Sequence, residues 1–186
     1  NPRYPDTDWR KETLKNYSSK YDINLNARGG SEKTSYFLSV GYLNQKGLLR
    51  SEDIGFDRVS FRSNIDAQIT KILRISADLS GRLEFRKEPG RNMNIILKSI
   101  QAARPIIPAH FPDESKATLP GYDADWANPL TISDSEYTGY NNTDFSSFRG
   151  TIGFNLDLGS WIKGLTFNGK FDYRLNHNFT KKFNTP

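Results

Sequence analysis

The chain has 186 residues, a formal net charge of +5 and no cysteine, and its mean hydropathy is −0.69. Lack of cysteine excludes a disulfide framework and a thiolate metal site. No stretch approaches the roughly 20 apolar residues of a membrane-spanning helix, although a barrel wall with a polar lumen also averages out hydrophilic. The basic residues form no run and alternate with Asp, Glu and Asn, so a nucleic-acid partner is not expected.

The first residues, Asn1-Pro2-Arg3-Tyr4-Pro5, are polar and loop-like and do not form a signal peptide. A short helix is expected from Thr7 to Leu14, with Thr7 or Asp8 as cap and Trp9 packing. Six stretches of period-two alternation follow, a spacing that puts alternate side chains on opposite faces of a strand. In the first, Tyr21, Ile23, Leu25 and Ala27 oppose Asp22, Asn24, Asn26 and Arg28. In the second, Tyr36, Leu38, Val40 and Tyr42 form the apolar face, opposite the less polar set Phe37, Ser39, Gly41 and Leu43. In the third, Val59, Phe61, Ile65, Ala67 and Ile69 oppose Arg58, Ser60, Arg62, Asn64, Asp66 and Gln68.

The fourth, Leu73 to Arg86, is the cleanest. Leu73, Ile75, Ala77, Leu79, Gly81, Leu83 and Phe85 face one way; Arg74, Ser76, Asp78, Ser80, Arg82, Glu84 and Arg86 face the other. The fifth sets Phe148, Ile152, Phe154, Leu156 and Leu158 against Arg149, Thr151, Asn155 and Asp157. The sixth sets Leu165, Phe167, Phe171, Tyr173 and Leu175 against Thr166, Asn168, Lys170, Asp172, Arg174 and Asn176. A soluble sandwich strand needs only about 5–6 residues, whereas a tilted strand crossing a bilayer needs roughly 9–11. A lipid-facing Arg or Lys at mid-membrane would cost about 2–4 kcal/mol, and none of these apolar faces carries a central one. The expected fold is therefore all-β: an antiparallel up-and-down meander forming part of a large transmembrane β-barrel wall.

Connections alternate in length. Gly29–Lys33, Lys71–Ile72 and Gly159–Gly164 are short, and their glycines are expected to supply the positive φ of tight hairpins. Gln45–Gly55 is longer, and about Lys87 to Asp144 is longest. Outer-membrane barrels have short periplasmic turns and long extracellular loops, so the strand from Leu73 is expected to run outward. Within the longest loop, Met93, Ile96, Leu97, Ile100 and Ala103 recur at helical spacing, predicting a helix over Asn92–Arg104 with Asn92 as cap and Pro105 as stop. The rest of that loop reads as irregular.

Several segments together resemble one family: Asp8-Trp9, the Gly29-Gly30-Ser31-Glu32-Lys33-Thr34-Ser35-Tyr36-Phe37 hairpin, Gly41-Tyr42-Leu43-Asn44-Gln45-Lys46-Gly47, Arg62-Ser63-Asn64-Ile65-Asp66 and Asn128-Pro129-Leu130. The chain resembles the barrel of the SusC/RagA-type TonB-dependent transporters of Bacteroidetes. That resemblance implies a barrel of about 22 strands with a plugged lumen, set in outer-membrane lipid and importing glycans or oligopeptides. It also implies a SusD-like surface lipoprotein as lid and energy delivered by TonB through a plug region. Six strands cannot close, since the smallest barrels need about 8. The whole of 1–186 therefore reads as a partial barrel domain, cut from something larger, without plug or remaining strands.

No catalytic constellation, cofactor motif or metal motif emerges. His110 and His177 stand apart from any carboxylate pattern, and Asp113, Glu114, Asp123 and Asp125 lack the ligand spacing of a calcium loop. Phe111, Tyr122 and Trp126 offer flat aromatic faces for a sugar ring or a protein lid, or else anchor the loop on itself. Arg58, Arg62, Asp66, Arg74, Asp78, Arg82 and Glu84 are expected to face the lumen, with Arg86, in a charge ladder across neighbouring strands. Transport is the leading function. A soluble carbohydrate-binding β-sandwich is the alternative, and an enzyme ranks last.

Overall fold

The computed structural model describes residues 5–116 and 128–184. Its six strands are β1 (Lys20–Gly30), β2 (Thr34–Lys46), β3 (Gly55–Gln68), β4 (Leu73–Pro89), β5 (Tyr140–Asp157) and β6 (Thr166–Phe183). They lie in one sheet in chain order, each antiparallel to the next, with β1 and β6 as its two edges. This is the expected meander, and it lacks the two stacked sheets and Greek-key crossings of a sandwich.

Strand length grows from 11 residues in β1 to 18 in β5 and β6. At about 3.3 Å per residue, the longest strands exceed the thickness of a bilayer core. Their side-chain chemistry changes accordingly. On the apolar face β5 runs Leu156, Phe154, Ile152, Gly150, Phe148 and then turns polar at Ser146, Asp144 and Asn142. That polar tail explains a boundary the sequence misplaces. Lys87–Pro89 pair with Asn142–Tyr140, so the long connection spans 90–139 rather than Lys87–Asp144.

The three short turns lie at one end of the sheet, and strand parity puts every other connection at the opposite end. Of the turn glycines, Gly164 alone has a positive φ, +81°. Gly29 and Gly30 instead stay extended within β1, where a Cβ at Gly29 would come within 2.5 Å of the Tyr36 hydroxyl across the hairpin. Close approach rather than backbone handedness calls for glycine there.

Among the described residues the long-loop end carries four helices: α1 (Trp9–Thr13), α2 (Met93–Ala102), α3 (Pro129–Ser133) and α4 (Ser135–Thr138). Asp8 caps α1 by accepting from the Lys11 N–H at 3.1 Å, and Asn92 caps α2 by accepting from the Asn94 N–H at 2.8 Å. Helix α2 falls within the expected span. Helices α3 and α4 were not expected, being too short to show a 3.6-residue period. Leu49, Ile96 and Ile132 form a small core with Leu14, Ile54, Met93 and Ile100 packed on it. Backbone and side-chain bonds fix this cap: Trp9 Nε1 donates to the Arg104 carbonyl at 3.0 Å, and Lys15 N–H to that of Leu48 at 2.7 Å.

Candidate functional site on the polar face

Strand register decides which side chains meet. On one face Val40, Phe61, Gly81, Phe148 and Leu175 follow one another across five strands. No second layer covers this face among the described residues; Leu79, in the middle of a central strand, is 37% exposed. A soluble sheet would bury such a position.

The opposite face is polar. Ser39, Arg62, Ser80, Arg149 and Arg174 form one cross-strand row, and Gly41, Ser60, Arg82, Ser147 and Asn176 the next. Ser80 in the middle of the first row, and Ser60 and Ser147 on either side of Arg82 in the second, leave a floor over which four arginines project. The result is a trough of about 610 Å³, whose lining includes Arg62, Arg82, Arg149 and Arg174, with Phe37 and Phe145 as aromatic walls and no carboxylate. Arg82 lies over the Phe145 ring, 5.1 Å from its centroid, and pairs with Glu84 at 3.2 Å. Arg149 grips Asp172 with Nε at 3.0 Å and Nη2 at 2.7 Å, and the Thr151 hydroxyl donates to the same carboxylate at 3.0 Å. Arg62 and Arg174 form no ion pair among the described residues.

The expected charge ladder does not form. Arg58 stands directly opposite Glu84, yet Glu84 pairs along its own strand with Arg82. Arg74 Nη2 donates instead to the side-chain amide oxygen Oε1 of Gln68 at 3.2 Å. Asp66 faces Ser35 and Ser76 across the sheet, and Asp78 faces Asn64 and Thr151. The cross-strand ion pair that does form, Arg149–Asp172, uses residues that were placed on polar faces but not singled out. Phe145 and Arg174 were missed as well. Finding them requires the β4–β5 register across a fifty-residue connection, which alternation alone does not fix.

At the helical end Asp53 is buried at 3% exposure. It accepts from the Ser135 N–H at 2.8 Å and Ser135 hydroxyl at 2.7 Å, and pairs with Lys87 at 3.1 Å. Burial pushes its pKa up, but the Ser135 hydrogen bonds and Lys87 outweigh that and hold it below the ordinary value. His110, expected to stand apart from carboxylates, lies 3.8 Å from Glu12. Phe111 is 42% exposed, and Asp113 accepts from the Ser115 N–H and hydroxyl. Tyr122, Asp123, Asp125 and Trp126 lie outside the described residues. Asn128 does not: its side chain accepts from the Leu130 N–H at 2.9 Å and caps α3, with Pro129 in the first turn.

One open meander of long antiparallel strands, apolar on one uncovered face and charged on the other, has the architecture of a segment of β-barrel wall. No family model matches the chain. Among curated proteins, TonB-dependent receptor P26 of Formosa agariphila is 27% identical over 184 residues, covering 95% of this chain and 17% of the relative. TonB-dependent receptor P39 of the same organism is 22% identical over 181 residues, covering 94% of this chain and 16% of the relative. Among solved structures, the RagAB peptide transporter aligns with a TM-score of 0.68 at 21% identity, covering 96% of this chain and 20% of that one. In its "open-open" state the RagAB peptide importer gives a TM-score of 0.71 at 22% identity, covering 97% and 20%. The chain is thus similar in sequence to part of TonB-dependent receptors and in fold to part of the RagAB transporter. It spans about one-sixth of the length of the curated relatives it matches.

Proposed function

We propose that this chain forms part of the closed, membrane-crossing barrel of an importer that takes up an oligomeric nutrient, a glycan or an oligopeptide. Its apolar face meets lipid. Its polar face, carrying Arg58, Arg62, Asp66, Arg74, Asp78, Arg82 and Glu84, lines the lumen, and further strands of the same receptor pair with the β1 and β6 edges. The helical end faces the cell exterior and the short turns face the periplasm. At the exterior end a SusD-like lipoprotein sits as a lid, with Phe111, Tyr122 and Trp126 contacting ligand or lid, while TonB acts through a plug region outside this chain.

The single observation that carries this reading is the division of one uncovered sheet into an apolar face and a charged face. A sandwich would hide the apolar face, and an enzyme would need convergent acid–base groups. Likeness to receptors and transporters supports the same reading. Deleting the gene for the full-length receptor should abolish uptake of at least one oligomeric nutrient, and collapsing the proton-motive force should block that uptake in the intact strain. Undiminished, energy-independent uptake of every oligomer tested would refute import.

A further inference from the structure

We propose that the arginine trough is an anion-recognition site that favours carboxylate-bearing oligomers; this rests on the polar face being the lumen. The register places Arg62, Arg149 and Arg174 in one row, with Arg82 in the next. Strands about 4.8 Å apart put Arg62 and Arg149, two strands from each other, on either side of the small Ser80. Arg149 and Arg174 are direct neighbours, so two like charges face each other; Asp172 pairs directly with Arg149 and its single charge is shared electrostatically with Arg174. Like charges directly opposite repel. A shared anion bound between them relieves that repulsion.

Arginine suits this role because its planar fork matches a carboxylate in bidentate fashion and cannot be deprotonated. Partners within the sheet already hold Arg82 and Arg149 in place, leaving Arg62 and Arg174 to receive a ligand. The serine floor adds hydroxyl donors, and Phe37 and Phe145 wall the trough. The four arginines outnumber the two carboxylates paired to them, Glu84 and Asp172, and a concavity with such an excess of positive charge concentrates anions. Carboxylates of this kind occur on acidic peptides and on uronic-acid glycans alike.

The test uses full-length receptor in outer-membrane vesicles. Because this segment has no cysteine of its own, Ser80→Cys places one thiol in the middle of the row. Its reaction rates with an anionic and a cationic methanethiosulfonate, each divided by the rate for a free thiol, report the local potential. The anionic reagent should be favoured by roughly tenfold or more, and adding Arg62→Gln with Arg174→Gln should erase most of that preference. Oligoglutamate or oligogalacturonate should protect the thiol, each acid identifying one source of the carboxylate, while oligoglutamine and a neutral glucan should not. No reaction at Ser80→Cys, no preference, a preference that survives loss of both arginines, or equal protection by neutral oligomers would overturn the inference and leave the lumen reading intact. That reading fails separately if Leu79→Cys reacts with both charged reagents as fast as Ser80→Cys does.

Discussion

Phe61 on β3 occupies the space that a side chain at Gly81 on β4 would need: a Cβ at Gly81 would come within 2.1 Å of the Phe61 ring. The two residues are direct cross-strand partners, and Phe148 approaches from the other side, 6.5 Å from Phe61 between ring centroids. Phe154 lies beside Gly169 in the same way: a Cβ at Gly169 would come within 2.3 Å of the Phe154 ring. An aromatic ring beside each glycine covers backbone that would otherwise be bare. Gly81→Ala should therefore displace Phe61 and destabilise the assembled barrel by about 1–3 kcal/mol, the usual cost of overpacking, and Gly81→Val should cost more. Urea unfolding of the full-length receptor would measure both, and a neutral Gly81→Val would contradict the packing described.

Asp53 fastens three parts of the wall: its own β2–β3 connection, α4 through Ser135, and β4 through Lys87. Asp53→Asn should weaken docking of α4 by about 1.5–3 kcal/mol, the range for hydrogen bonds to a charged group. The effect should be visible as faster hydrogen exchange at the Ser135 amide. Because the folded pKa lies below the ordinary one, this stabilisation is fully present at neutral pH. It fades as pH falls through about 4 and on through the folded value. The difference between wild type and Asp53→Asn should shrink over the same acid range; a constant difference would mean the carboxylate charge is not what matters.

Asn128 is fully buried and caps α3, while its Nδ2 reaches the Ala109 carbonyl at 3.4 Å. Asn128→Ala should lower the stability of the helical cap by about 0.5–2 kcal/mol and leave the six-strand sheet intact. Limited proteolysis should then cleave within 90–139 sooner, with barrel assembly unchanged. Loss of assembly in that variant would show that the cap is needed to build the wall.

Much of this fold can be read from side-chain alternation. The Leu73–Arg86 pattern is clean because every second position lies on the apolar face, and a single slip of register would reverse every side chain. Alternation fades where β4 and β5 leave the apolar zone, since Glu88, Asn141 and Asn142 sit among polar neighbours on both faces; the loop therefore looks longer than it is. Arg62 and Arg82 were recognisable as polar-face residues, but their neighbours were not. Arg149 and Arg174 join them only through β4–β5–β6 pairing, and Glu84 pairs with Arg82 on its own strand although it faces Arg58. Helices α3 and α4 owe their existence to Asn128 and Asp134 as caps, and α3 also to packing of Ile132 against Leu49, not to any period in their own sequence.

Spin labels placed one at a time from Leu73 to Phe85 in the full-length receptor, reconstituted in lipid, test the barrel-wall account most directly. Labels at Leu73, Ile75, Ala77, Leu79, Gly81 and Leu83 should relax with oxygen dissolved in lipid, and labels at Arg74, Ser76, Asp78, Ser80 and Arg82 with a water-soluble nickel chelate. The account predicts strict alternation with period two across the whole stretch. Uniform accessibility, or labels at Leu79 and Leu83 shielded from both reagents by a second protein layer, would contradict it.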